Sequence, residues 1–193
     1  MREDEIKVQV EDVVRRSKKS PIIPSIKDAY RTTKCFGVNG QGKIKGAFPK
    51  GFMKWIEKMG WWGSSRCYLC AGMIDDPKAI RVDVRPEVKP THLEDASNTS
   101  IPSSSVDWVM IDPPYTRILA RDYYDTEKEY HGINAFTNEA TRICKPHGLI
   151  LTLSYEIPKR IKGCDFIAVV GVYTVPFTGY MRCFTVSRKR LNE

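Results

Sequence analysis

Apolar residues recur along this chain in two periods, and the change from one to the other marks out its elements. Phe52, Trp55, Ile56 and Met59 fall at i, i+3, i+4 and i+7, one face of a helix that Pro49 suits as an entry and Gly60 ends. Ile133, Phe136, Ala140 and Ile143 mark a second helix, stopped by Lys145-Pro146-His147-Gly148. Between and after them lie short runs of strand character: Arg66 to Cys70, Ile80 to Val84, Thr91 to Glu94, Val106 to Ile111 and Leu149 to Leu153. Phe166 to Val175 and Tyr180 to Ser187 read as a closing antiparallel pair joined through Pro176 and Gly179. Strands interleaved with helices predict an α/β sheet, mostly parallel, with an antiparallel hairpin at one edge. Ligands of such sheets gather at the carboxyl ends of the strands.

The first 47 residues are polar and basic. Val10, Val13 and Val14 at helical spacing, then Pro21, Pro24 and the glycines Gly37, Gly40, Gly42 and Gly46, predict a short helix followed by a flexible segment. Residues 1–47 therefore read as a basic N-terminal extension and 48–193 as the folded domain. The glycines lack the GxxxxGK[ST] order of a phosphate-cradling loop, and no clear strand precedes them, which favours a mobile loop.

Charge and cysteine content narrow the partners. With 193 residues, 41% of them hydrophobic, the chain suits one core. Its 31 Lys and Arg against 23 Asp and Glu give a net charge of +8, which favours a polyanion and nucleic acid first, although many soluble proteins are basic without binding one. Cys35, Cys67, Cys70, Cys144, Cys164 and Cys183 are scattered, as reduced thiols are. The Cys67–Cys70 pair has neither a second pair nor histidines at zinc-ligand spacing, so buried thiols are expected and no metal. The first 20 residues interleave charge with apolar residues, unlike a signal peptide, and no run of about 18 apolar residues occurs. A soluble, cytoplasmic protein with no membrane partner is expected.

The chemistry concentrates at Asp112-Pro113-Pro114-Tyr115, which an apolar strand, Val106 to Ile111, delivers at its carboxyl end. Two prolines stiffen that turn and leave carbonyls with no competing proline N–H. An exocyclic amine on a heteroaromatic ring is a poor nucleophile because its lone pair is delocalised. Acceptors that hold its two hydrogens, Asp112 and the Pro113 carbonyl, can draw the nitrogen toward tetrahedral geometry. Tyr115 is then placed to stack on an extruded base. A strand followed by Pro-Pro is also a common turn, with Asp112 as its cap.

The tetrapeptide DPPY resembles the motif of class I S-adenosylmethionine-dependent amino-group methyltransferases, in which Asp or Asn in first place is typical of adenine N6 enzymes and Ser of cytosine N4 enzymes. The stretch from Val82 to Tyr115 resembles the region joining their second, third and fourth strands. The resemblance covers roughly residues 48 to 155 and implies a Rossmann-like sheet with S-adenosylmethionine as cofactor. It implies that Asp83, ending the second strand, binds the cofactor ribose, and that Asp95, with small Ala96 beside it, meets the cofactor adenine. Cys70-Ala71-Gly72 resembles the glycine-bearing loop at the methionine part of the cofactor, and Phe48-Pro49 the segment packed over it, although Phe48-Pro49 is equally a helix entry staple. Only Met73 to Lys78 separate Gly72 from the second of these strands, too few for a crossover helix, so the loop is abbreviated.

The same resemblance implies a methyltransferase acting on a nucleobase amino group, adenine N6 in DNA ahead of RNA. The tetrapeptide also occurs in RNA adenine N6 and guanine N2 enzymes, and a catalytically inactive basic binding module with this fold is a further reading. Thr116 to Gly132, with two arginines, three tyrosines and a histidine, is placed as a lid over the target base, or is an ordinary charged loop. Only the first 47 residues, this lid and the basic tail Arg188-Lys189-Arg190 remain to read sequence, so weak specificity, a homodimer or a separate recognition subunit is expected. His131 and His147 receive no catalytic role.

Overall fold

The computed structural model describes residues 29–37, 48–128, 130–158, 161–175 and 181–191. Eight strands form one sheet: β1 (Tyr30–Gly37), β2 (Arg66–Leu69), β3 (Ile80–Asp83), β4 (His92–Leu93), β5 (Val106–Ile111), β6 (Cys144–Ser154), β7 (Cys164–Val175) and β8 (Arg182–Lys189). Their order is β1-β7-β8-β6-β5-β2-β3-β4. Every neighbouring pair is parallel except those made by β8, which runs against β6 and β7. The mostly parallel, Rossmann-like sheet with an antiparallel C-terminal hairpin is therefore present. Strand order reverses between β2 and β5, which makes their carboxyl ends the switch point where such sheets bind ligands.

Both faces of the sheet are apolar, as buried parallel strands require. Along β5, Trp108 and Met110 face one core while Val109 and Ile111 face the other, so each residue of this central strand is used. The first core is covered by α1 (Phe52–Lys58) and is rich in aromatic edges. Phe52 meets Phe36 at 5.3 Å and Phe184 at 5.1 Å, and Trp55 meets Trp61 at 5.4 Å, each pair near perpendicular. The second core is covered by α2 (Ile133–Ile143) through Phe136, Ala140 and Ile143.

The connection from β2 to β3 contains no helix and is held by polar contacts instead. Asp76 accepts from Arg66 Nε at 2.8 Å and Nη2 at 3.1 Å, and from the Tyr68 hydroxyl at 3.2 Å, while Ala71 N donates to the Val82 carbonyl at 2.9 Å. These bonds fold residues 70–79 back on β2, so two adjacent parallel strands are joined by fewer residues than a helical crossover needs.

On the other side of the switch point, Glu139 of α2 holds the β4–β5 loop. It accepts from Thr99 N at 2.8 Å and Thr99 Oγ1 at 2.6 Å, and pairs with Arg142, which donates to the Thr99 and Ile101 carbonyls.

The structure departs from the sequence expectations in places. Tyr30–Gly37, inside the segment read as flexible, is a strand paired in parallel with β7. The helix expected around Val10 to Val14, the glycines at 40, 42 and 46 and the Pro176–Gly179 turn lie outside the described residues. Helix α2 ends at Ile143, just before Lys145-Pro146-His147-Gly148 as expected, and these four residues form a bulge within β6: Val106 pairs with Cys144 and Trp108 with Leu149. His147 there has φ 63°, and a Cβ on Gly148 would lie 2.6 Å from Cys144 Sγ, so the bulge closes only over glycine.

The basic tail is also used differently. Lys189 Nζ donates to the carbonyls of Thr141 and Cys144, both at 2.7 Å, closing the C-terminal end of α2, and Arg190 pairs with Asp165 at 3.4 Å. Because β8 is antiparallel, these residues sit at the sheet edge opposite the carboxyl ends of the parallel strands. None of the described helices is long and apolar enough to cross a membrane.

Candidate active site

A cavity of about 200 Å³ opens at the switch point, between the ends of β2, β3, β5 and β6 and the segment after β5. Its walls include Cys70, Gly72, Asp83, Asp95, Ala96 and all four residues Asp112, Pro113, Pro114 and Tyr115. Residues from the ends of separate strands thus meet in one chamber, because parallel strands end on the same edge.

Three predicted residues stand elsewhere. Phe48 is buried against Phe52, their rings stacked at 5.7 Å, and lines with Pro49 a separate hollow formed by Lys50, Met53, Lys54, Met73 and Ile74. Ala71 is buried in the core under α1 rather than in the cavity wall. Pro49 stands ahead of the Gly51 cap of α1 and not at its first helical position.

Asp112 sits just beyond β5, and its Oδ1 accepts from the Tyr115 hydroxyl at 2.9 Å. Burial pushes the Asp112 carboxyl up to about 6, against the pull of that hydroxyl and of the Arg182 charge on β8. Tyr115 thus turns its phenol inward to the aspartate while its ring packs on Tyr155 at 4.5 Å, a tilted contact at the mouth of β6. Burial raises the Tyr115 phenol well above its usual range, so it remains a donor.

The acids expected to hold a nucleoside are already engaged by the protein. Asp83 is buried; its Oδ1 accepts from Arg85 N and Arg85 Nε, both at 3.0 Å, and its Oδ2 from Gly72 N at 2.9 Å and Arg85 Nη2 at 3.2 Å. Gly72 reaches this carboxylate through a left-handed turn in which Cys70 (φ 58°) and Gly72 (φ 53°) both have positive φ. Only the glycine adopts that conformation without strain. Arg85 lies over the Tyr124 ring at 5.1 Å. Asp95 receives Ser97 N at 2.7 Å on Oδ1, and His131 Nε2 stands 2.8 Å from its Oδ2.

The segment after the tetrapeptide forms the outer wall. Thr116 Oγ1 accepts from Leu119 N at 3.1 Å and caps a short helical turn, Arg117–Leu119, which runs into a π-helical turn, Ala120–Tyr124. Leu119, Tyr123, Tyr124, Thr126 and Tyr130 from this segment line the cavity, joined by Phe136 and Tyr155.

The sequence reading does not single out Arg85, Tyr155 and Arg182, and it places His131 in the lid without a catalytic role. For Arg85 a signal existed, an arginine two residues beyond a strand-end acid. For Arg182 and Tyr155 none did, since β8 and β6 bring them to the tip only through sheet order.

All six cysteines are free, and Cys67 and Cys70 have thiols raised by burial. Among the described residues no group of His, Cys, Asp and Glu is arranged to hold a metal.

No protein-family model and no curated protein sequence matches the chain. Solved structures with a similar course of the chain include a S-adenosylmethionine-dependent methyltransferase from Methanosarcina mazei, 12% identical, covering 69% of this chain and 96% of that one, with a TM-score of 0.42. A second, from Aquifex aeolicus, is 14% identical over 70% of this chain and 87% of the other, with a TM-score of 0.42. A candidate DNA modification methylase from Thermus thermophilus is 18% identical over 51% and 53%, with a TM-score of 0.36. At these identities and scores the functional reading has to come from the site itself.

Proposed function

We propose that this chain is an S-adenosylmethionine-dependent methyltransferase acting on an exocyclic amino nitrogen of a nucleobase, with adenine N6 in DNA as its target. The observation that supports it most is the shared chamber: the Asp112-Pro113-Pro114-Tyr115 tip opens on the same cavity as the strand-end acids Asp83 and Asp95. One hollow thereby offers an amine-holding carboxylate beside carboxylates suited to a nucleoside.

The residues present fit that cofactor. Asp83 would accept from the ribose hydroxyls and Asp95 from the adenine amine, Ala96 would leave room for the ring, and the positive-φ turn at Gly72 would let backbone approach the methionine part. Bound there, the cofactor supplies an electrophilic methyl group on sulfur. The chain's own work is to hold the nucleophile. Asp112, one oxygen fixed by Tyr115, accepts a hydrogen of the amine on the other, and the Pro113 carbonyl accepts the second. Its raised pKa makes Asp112 a base matched to neutral pH. Tyr115, Tyr124, Tyr130 and Tyr155 supply aromatic surface for a base taken out of its stack. The net charge of +8 suits the polyanion, and a homodimer or recognition subunit would supply what sequence selectivity the enzyme has.

Asp112→Ala tests the assignment. Methyl transfer to DNA should fall by about a hundredfold or more, while calorimetric affinity for S-adenosylhomocysteine stays nearly unchanged, because the lost carboxylate serves the amine. Equal activity in that variant contradicts the role, and matched RNA substrates decide the nucleic acid.

A further inference from the structure

Resting on that reading of the cavity, we propose that cofactor binding is an exchange reaction in which the Arg85 side chain must leave Asp83, the carboxylate that receives the ribose, while His131 competes for Asp95.

Asp83 has room for about four hydrogen bonds on its two oxygens, and all four are filled from within the chain. Two of them, from Gly72 N and Arg85 N, are backbone bonds that fix the acid. The other two come from the Arg85 side chain, whose forked donors lie against both oxygens as a pair of vicinal hydroxyls would. A ribose diol therefore cannot reach Asp83 until the guanidinium swings away. Asp95 is less filled: its Oδ1 is fixed by Ser97 N and its Oδ2 is met by His131 at 2.8 Å, so an incoming amine competes with His131 for that oxygen.

Both displaced groups touch the outer wall. Arg85 rests on the Tyr124 ring, and His131 closes the same segment immediately before α2. Releasing them frees two attachments of the wall formed by residues 116–132, so loading the cofactor and loosening the wall over the substrate side are one event. Arg85 is thus an affinity-setting residue that competes with the cofactor, and the wall is closed by contacts that the cofactor replaces.

The test is calorimetric titration of S-adenosylhomocysteine into the whole chain and into Arg85→Ala, Arg85→Gln and His131→Ala. Removing the competitor should tighten binding by on the order of tenfold in either Arg85 variant, and by less at the exposed His131 pair. If Arg85→Ala does not fold, as judged by circular dichroism, Arg85→Gln keeps a neutral donor at the position and carries the same expectation. Weaker or unchanged binding in the folded Arg85 variants overturns the exchange and makes Arg85 a cofactor ligand or a bystander. Absence of binding in the wild-type chain and in every variant would instead overturn the methyltransferase reading itself.

Discussion

Asp112 bears a charge where the surrounding protein disfavours one, and that cost should be measurable. Its carboxyl titrates near 6 in the fold against 3.8 for the free group. The folded state holds the proton more tightly, so this residue's contribution favours folding most below about pH 4 and is lost as pH rises to about 6. Above that, the fold carries a penalty of at most about 3 kcal/mol. Asp112→Asn should therefore raise the melting temperature near pH 8 and leave it unchanged near pH 4; an equal effect at both would mean that the group is not perturbed. In the wild type, methyl transfer should rise through pH 6 as the carboxylate forms. Asp83→Asn tests the other side of the cavity, since an amide can accept on one oxygen only: cofactor affinity should drop by about 1 to 3 kcal/mol in a calorimetric titration. This scale was the most readable in the sequence. The tetrapeptide carries its own chemistry in four contiguous residues, and Asp83 and Asp95 are marked by position at strand ends. What was hidden was occupancy, because the His131 contact spans 36 residues of chain.

At the scale of elements, the sheet is held by two helices of different kinds. α1 contributes aromatic surface, and Phe52→Ala should cost about 3 to 5 kcal/mol in urea denaturation by emptying a ring enclosed by Phe36, Phe48, Trp55 and Phe184. α2 contributes a polar clamp. Burial alone would raise the Glu139 carboxyl, but the bonds from Arg142 and Thr99 outweigh it and hold it below its ordinary 4.5. Its stabilising effect is present above about pH 4.5 and is lost as pH falls through the lowered value. Glu139→Gln should flatten the acid limb of a stability–pH profile, with an unaltered limb speaking against the clamp. The strands flanked by turn residues and the two helices at 3.6-residue spacing were legible. β1 was not: of its side chains only Tyr30 and Phe36, near its ends, are buried, and an edge strand with one neighbour leaves little alternation to read. The absent β2–β3 helix was legible as a shortage of residues, but not the Arg66–Asp76 pairing that stands in for it.

At the scale of the whole molecule, part of the positive charge among the described residues serves the fold. Lys189 and Arg190, which looked like a tail for nucleic acid, are spent on α2 and Asp165 at the edge away from the cavity. Lys189→Ala should lower stability by about 1 kcal/mol and leave the slope of DNA affinity against salt unchanged, whereas a shallower slope would place that lysine on a phosphate. The sheet order explains how distant residues come together: four parallel strands, β2, β3, β5 and β6, deliver their ends to one chamber. On the proposed function, Asp112 presents a base amine to a methyl donor in that chamber. Mass spectrometry of nucleosides from unmethylated DNA incubated with the protein and methyl-deuterated S-adenosylmethionine tests it most directly. Deuterium-labelled N6-methyladenine with the wild type, and none with Asp112→Ala, is the result expected; labelled product at equal yield from both proteins, or no labelled nucleoside from the wild type on DNA or RNA, would contradict the account.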